Sequence, residues 1–163
     1  MLSRCCRLSN VPRAALLVLL LAALLAACLS PTDSINKLAA DNHWLATVVE
    51  SEQFRHQLYS KRLVGRRLHV YIDGDGSPWL AGRHIAADPT PRNPLALKLL
   101  LKDSHPAVYL GRPCYLQMAA ADSCDATLWT HQRYSEAVVN SLHQALLALL
   151  AKRDERELLL IGY

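Results

Sequence analysis

The first 27 positions of this 163-residue chain contain no acidic residue. Nowhere is there an apolar run as long as the roughly 20 residues that a bilayer-spanning helix needs; the longest, Ala14 to Ala27, has fourteen residues. A spanning helix is thereby excluded, but a secretory h-region is not. With Arg4, Arg7 and Arg13 ahead of it, the run has the layout of a signal peptide. The chain also lacks a basic stripe interleaved with aromatics, the footprint expected of a nucleic-acid binder. The pI near 8.9 does not contradict this. Residues 1–27 carry three of the eighteen basic residues, which leaves fifteen basic against fourteen acidic, a net charge of +1. The pairs Lys61-Arg62 and Arg66-Arg67 read as solvated strand edge. No nucleic-acid partner is expected. No internal repeat is present, and no low-complexity segment beyond the leader.

The leader ends in Leu25-Ala26-Ala27-Cys28, which resembles the lipobox of bacterial lipoproteins. The resemblance implies diacylation of the Cys28 sulfur, cleavage before it and acylation of the new amino terminus. Two or more acyl chains hold a protein on a membrane where one is marginal. The expected location is the bacterial cell envelope, and Leu29, in place of an inner-membrane aspartate, leans to the outer membrane by the same resemblance. The alternative is ordinary secretion with Cys28 a bystander. Cys5 and Cys6 fall in the discarded segment, so Cys114 and Cys124 remain, and in an oxidising compartment they are expected to pair. A metal pair is the weaker reading, because two thiols with nine residues between them and no nearby histidine cluster suit zinc poorly. No metal or cofactor is expected.

The organisation follows from punctuation and period. Residues 1–27 read as signal peptide, 28–53 as tether and N-terminal segment, and 54–163 as the folded domain. Phe54 to Tyr59 alternates weakly, and Arg67 to Ile72 is a better strand, rich in β-branched and aromatic residues. Asp73-Gly74-Asp75-Gly76-Ser77-Pro78 is a dense cluster of turn formers, and residues 82–92 read as loop. Asn93 as N-cap and Pro94 at the first position open a helix over Leu95 to Lys102. Ala107 to Leu110 is a second apolar strand. Ser135-Glu136 begins a longer helix to Ala151, with Val138, Leu142, Ala145, Leu146 and Leu149 at helical spacing. Leu158 to Ile161 is a third strand. Short apolar strands alternating with helices predict an α/β fold with a mostly parallel sheet and flanking helices.

Read together, the Asp73 to Gly76 loop after one strand and the strand ending in Gly162-Tyr163 resemble the α/β-hydrolase superfamily. In that fold a glycine-rich loop after the third strand supplies an oxyanion-hole N–H, and the nucleophile lies in a Gly-x-Ser-x-Gly elbow after the fifth. The resemblance implies that Gly74, Asp75 and Gly76 form the oxyanion loop, with Asp75 N–H the favoured donor. Gly162 and Tyr163 would begin the elbow. Asp73 stands where the common motif has histidine. The serine, acid and histidine are not in the chain, so the reading is the N-terminal part of a lipid-anchored acyl hydrolase, inactive alone, whose full form takes a small acyl substrate. A plain turn and a cation loop are the rival readings of 73–76. Two carboxylates beside an oxyanion hole must point away or be paired, with Arg112 or Arg133 as partners. Ser135 is expected to be a helix cap rather than a nucleophile, and His69 a packed residue. A complete small envelope lipoprotein with a binding or structural role is the competing class.

Overall fold

The structure, a computed structural model, describes residues 30–61, 63–118, 121 and 123–163. Cys28 and the expected lipobox and signal segment lie outside the described residues. Residues 31–163 form one compact unit. No described helix is long and apolar enough to cross a membrane.

The chain opens with α1 (Pro31–Asp41), then β1 (Leu45–Glu50), β2 (Arg55–Ser60) and β3 (Arg67–Ile72). A two-strand ribbon of β4 (Trp79–Leu80) and β5 (His84–Ile85) precedes α2 (Leu95–Lys102) and β6 (Ala107–Leu110). A 3-10 turn (Ala126–Trp129), α3 (Glu136–Leu150) and β7 (Glu157–Gly162) follow. The first 23 residues of this unit are thus integral to it rather than a tether: α1 buries Ile35 and Ala39, and β1 pairs along its whole length with β2. The expected loop at 82–92 contains β5, which pairs with β4 across a turn that places Ala81 and Gly82 at positive φ. Two-residue strands are too short to leave a period in the sequence.

The main sheet runs β1-β2-β6-β3-β7. β6, β3 and β7 are mutually parallel, β2 is antiparallel to β6, and β1 is antiparallel to β2. Four of the five strands therefore point the same way. Alternation along each strand divides the core in two. Tyr59, Tyr71, Ala107 and Tyr109 face α1 and α2, meeting Ile35, Ala39, Leu97 and Leu100. Leu58, Leu68, Val70, Val108 and Leu110 face α3, meeting Ala145 and Leu149. Both faces of the central strands are covered, which is why Ala107 to Leu110 reads as an unbroken apolar run and all four of its residues are buried. β7 is different. It is an edge, and Leu158, Leu159 and Leu160 remain 40–53% exposed although their composition is that of a central strand.

The helix starts only partly follow the sequence. Asn93 does not cap α2; its Oδ1 accepts from Lys98 Nζ at 2.5 Å, and Pro94 occupies the cap position. A proline has no side-chain acceptor to offer the free amides of the first turn. That service comes from across the fold, where Asp73 Oδ1 accepts from Ala96 N at 2.9 Å. Ser135 does hold the N-cap position of α3 in extended conformation, but its hydroxyl makes no cap hydrogen bond.

Cys114 and Cys124 are disulfide-bonded, as expected, with Cα atoms 5.7 Å apart. Closing so short a loop stabilises by about 3 kcal/mol in the chain-entropy model. The loop needs holding, since Cys114, Leu116 and Gln117 all have positive φ.

Candidate active-site edge

Parallel neighbours end at the same edge of a sheet, so the loop leaving β3 and the chain leaving β7 must meet. The pairing of Ile72 with Gly162 brings Asp73-Gly74 alongside Gly162-Tyr163. The approach is close: a Cβ built on Gly74 would lie 2.7 Å from the Tyr163 carbonyl oxygen. Gly76 adopts φ +66°, where glycine is favoured, and packs on the Pro89 carbonyl and the Tyr115 ring. The loop borders an open depression of about 430 Å³ lined by Gly76, Ser77, Pro78, Trp79, Leu80 and Arg92.

Both carboxylates of the loop are withdrawn from that edge. Asp73 is buried and turned to the start of α2. Burial raises its pKa, outweighing the lowering effects of the Ala96 amide and Tyr109. Asp75 is paired as expected, with Arg133 Nε at 2.8 Å and Arg112 Nη1 at 3.7 Å. Two further partners were not legible in the sequence. The Tyr134 hydroxyl donates to Asp75 Oδ1 at 2.5 Å, and the Tyr115 hydroxyl donates to the Asp75 carbonyl at 2.9 Å. Arg112 is 7% exposed and lies over the rings of Tyr115 and Tyr134. The two arginines and two tyrosines thus occupy both oxygen-bearing groups of residue 75.

Ser135 follows directly, and its Oγ is buried with no described hydrogen-bond partner. A serine nucleophile needs a base within hydrogen-bond reach, and none of the described histidines bonds to it. His131 packs edge-on to Trp79 instead. His56 is also no candidate: it is fully buried, its Nδ1 is 3.0 Å from the Gly111 carbonyl, and burial lowers its pKa.

A second polar cluster lies on the α2 face. His69 comes from the middle of β3, and Asp103 and His105 from the segment between α2 and β6. His69 Nδ1 is 2.5 Å from Asp103 Oδ2, and His105 Nδ1 is 3.0 Å from Asp103 Oδ1. The Tyr71 hydroxyl donates to Asp103 Oδ2 at 2.8 Å, and the His105 amide donates to Asp103 Oδ1 at 2.9 Å. Burial opposes ionisation of Asp103, but the His105 amide, His69, Tyr71 and the His105 ring together hold its pKa well below the usual carboxylate range. Tyr71 is pushed up to about 12, first by burial and then by that carboxylate. His69 is packed, as its strand position implies, yet it is also a member of a cluster. Asp103 and His105 are two residues apart and 34 and 36 residues from His69, so sequence spacing alone gave no ligand pattern.

No family model, curated protein or solved structure matches this chain.

Proposed function

We propose that this chain is the N-terminal portion of an exported, lipid-anchored serine acyl hydrolase of the α/β-hydrolase type, with its nucleophile outside these residues. The observation that carries this reading is the contact of the loop after β3 with Gly162-Tyr163 at the end of β7. An oxyanion hole of this type takes one N–H from that loop and one from the residue after the nucleophile. The two segments must therefore lie side by side at one edge, on adjacent parallel strands. The pairing of Asp75 supports the same reading, because preorganised N–H groups can stabilise a developing oxyanion only if nearby carboxylates are neutralised or turned away. Asp75 N–H is the donor assigned from the loop. The substrate is a small acyl ester, and the acid and histidine follow the serine in chain order.

Activity tests the reading directly. Residues 28–163 should not hydrolyse short-chain p-nitrophenyl esters, whereas the chain extended through the downstream reading frame should. Loss of a triad member leaves roughly 10³–10⁴-fold acceleration only where the rest of the site is assembled; here a hole donor is missing as well. Turnover by residues 28–163 that disappears in Ser135→Ala would refute the assignment. So would an inert extended chain. A frame that closes after Tyr163 would favour a small envelope lipoprotein.

The anchor is tested separately. Cys28 follows Ala26-Ala27 at the end of the apolar run. Labelled palmitate should enter the wild-type chain, and Cys28→Ala should remain an unlabelled precursor. Equal labelling of the two proteins would end the lipoprotein proposal.

A further inference from the structure

The geometry points to a divalent transition-metal site formed by His69, Asp103 and His105. One ligand atom from each residue lies within 4.8 Å of the other two. Ordinary zinc–nitrogen distances are about 2.0–2.1 Å, so ligand atoms around one tetrahedral ion lie roughly 3.3 Å apart, and these atoms must shift to admit one. The side chain free to do this is His105, which is 55% exposed, while Asp103 and His69 are held. The two imidazole rings already stack at 4.5 Å between centroids, with an interplanar tilt of 34°.

His69 is only 8% exposed, and its Nε2 has no hydrogen-bond partner among the described residues, so the ring's described polar contact is on the Nδ1 side. Asp103 addresses Nδ1 of both rings, so an ion held here would take those two nitrogens and the carboxylate and displace the hydrogen bonds between them. Tyr71 and the His105 amide hold that carboxylate in turn.

The donor set selects the class of ion. Two imidazoles and a carboxylate without thiolate suit zinc, cobalt, nickel or copper, whereas calcium and magnesium prefer an all-oxygen shell. Zinc is the assigned ion. Three protein ligands leave a coordination position free. The cluster opens on a depression of about 400 Å³ bordered by Tyr71, Leu99, Lys102 and Ile161, which leaves room for water or a small ligand there. His69 lies four residues before Asp73, the residue that follows β3, roughly 13 Å at a strand's rise per residue. The site is therefore separate from the edge described above and does not depend on the hydrolase reading. An ion here would tie β3 to the segment entering β6.

The test uses the purified full chain after treatment with a chelator. Equilibrium dialysis with Zn²⁺ should give one ion per chain that is lost, or weakened at least about tenfold, in both His105→Ala and Asp103→Asn. His131→Ala should bind like wild type. Because His105 is largely exposed, His105→Ala should keep the wild-type far-UV circular dichroism, and Zn²⁺ should raise the melting temperature of wild type but not of this variant. Co²⁺ in place of Zn²⁺ distinguishes the histidine site from Cys5, Cys6 and Cys28. A visible d–d band without sulfur charge-transfer absorption, absent in His105→Ala, is the expected spectrum. No saturable ion, or binding of unchanged affinity in both His105→Ala and Asp103→Asn, would overturn the site. So would a thiolate spectrum that persists in His105→Ala.

Discussion

Gly76→Ala should destabilise the protein by about 2–5 kcal/mol, combining αL strain of roughly 1–2 kcal/mol with overpacking of about 1–3 kcal/mol. The residue has φ +66°, and the added Cβ would lie 2.2 Å from the Pro89 carbonyl oxygen and 2.8 Å from Tyr115 Cε1. Neither neighbour can easily give way. The Pro89 carbonyl accepts from Ser77 N at 2.8 Å, and the Tyr115 hydroxyl donates to the Asp75 carbonyl. Gly82 is the internal control. Its φ is almost the same, +67°, yet nothing lies within 4 Å of its built Cβ. Gly82→Ala should therefore cost only the conformational part, about 1–2 kcal/mol. Thermal melts of the two variants should differ by several degrees, given roughly 2–8 °C per kcal/mol for domains in this size range. Melting temperatures within a degree of each other would show that the loop at 73–76 relaxes freely, and a loop that relaxes freely cannot preorganise a donor.

The sequence foretold this part of the molecule unevenly, for physical reasons. Strands buried on both faces announce themselves as continuous apolar runs, and Ala107 to Leu110 was legible for that reason. Arg67 to Ile72 was legible from its β-branched and aromatic residues, and Leu158 to Ile161 has the composition of a central strand although it lies at an edge. β1 was not, because its pattern is that of an exposed edge in which only Val49 is buried. The need to neutralise Asp75 could be foreseen from electrostatics alone, and both candidate arginines do pair with it. The tyrosines that complete the pairing could not be foreseen. Tyr115 lies on a disulfide-closed loop with irregular backbone, and Tyr134 just before a helix, positions where no period constrains direction. Helix caps misled for a related reason. Asn93 satisfies the local rule, yet tertiary packing gives the amide of Ala96 to Asp73, 23 residues away. The His69, Asp103 and His105 cluster shows the same limit: the parallel pairing of His69 with Ala107 creates the proximity. That register is set by the apolar faces of the strands and not by the ligands.

Arg112→Ala should cost about 2–5 kcal/mol, about 1–3 kcal/mol for the carbonyl it orphans and about 0.5–1 kcal/mol for each of two ring contacts, and Asp75→Asn less. The asymmetry follows from what each change leaves behind. The side chain of Arg112 is only 7% exposed, so its loss empties buried space, whereas that of Asp75 is 35% exposed and its amide replacement keeps an acceptor oxygen and access to solvent. An ion pair screened to that degree contributes on the order of 1 kcal/mol or less. Arg112 does more than balance charge. Its Nη2 donates to the Arg133 carbonyl, and its guanidinium lies 5.6 Å and 5.3 Å from the centroids of Tyr115 and Tyr134. Truncation removes that packing, orphans the carbonyl and loosens both tyrosines that hold residue 75. Arg112→Lys keeps the charge but not the planar fork, so it should fall between wild type and alanine. Urea unfolding of Arg112→Ala, Asp75→Asn and the double variant separates the terms. If packing and the carbonyl dominate, the double variant should unfold close to Arg112→Ala alone. Equal costs for the two single variants would mean that charge pairing dominates. In that case Asp75 would be held by Coulomb attraction alone, and the loop would loosen as salt rises.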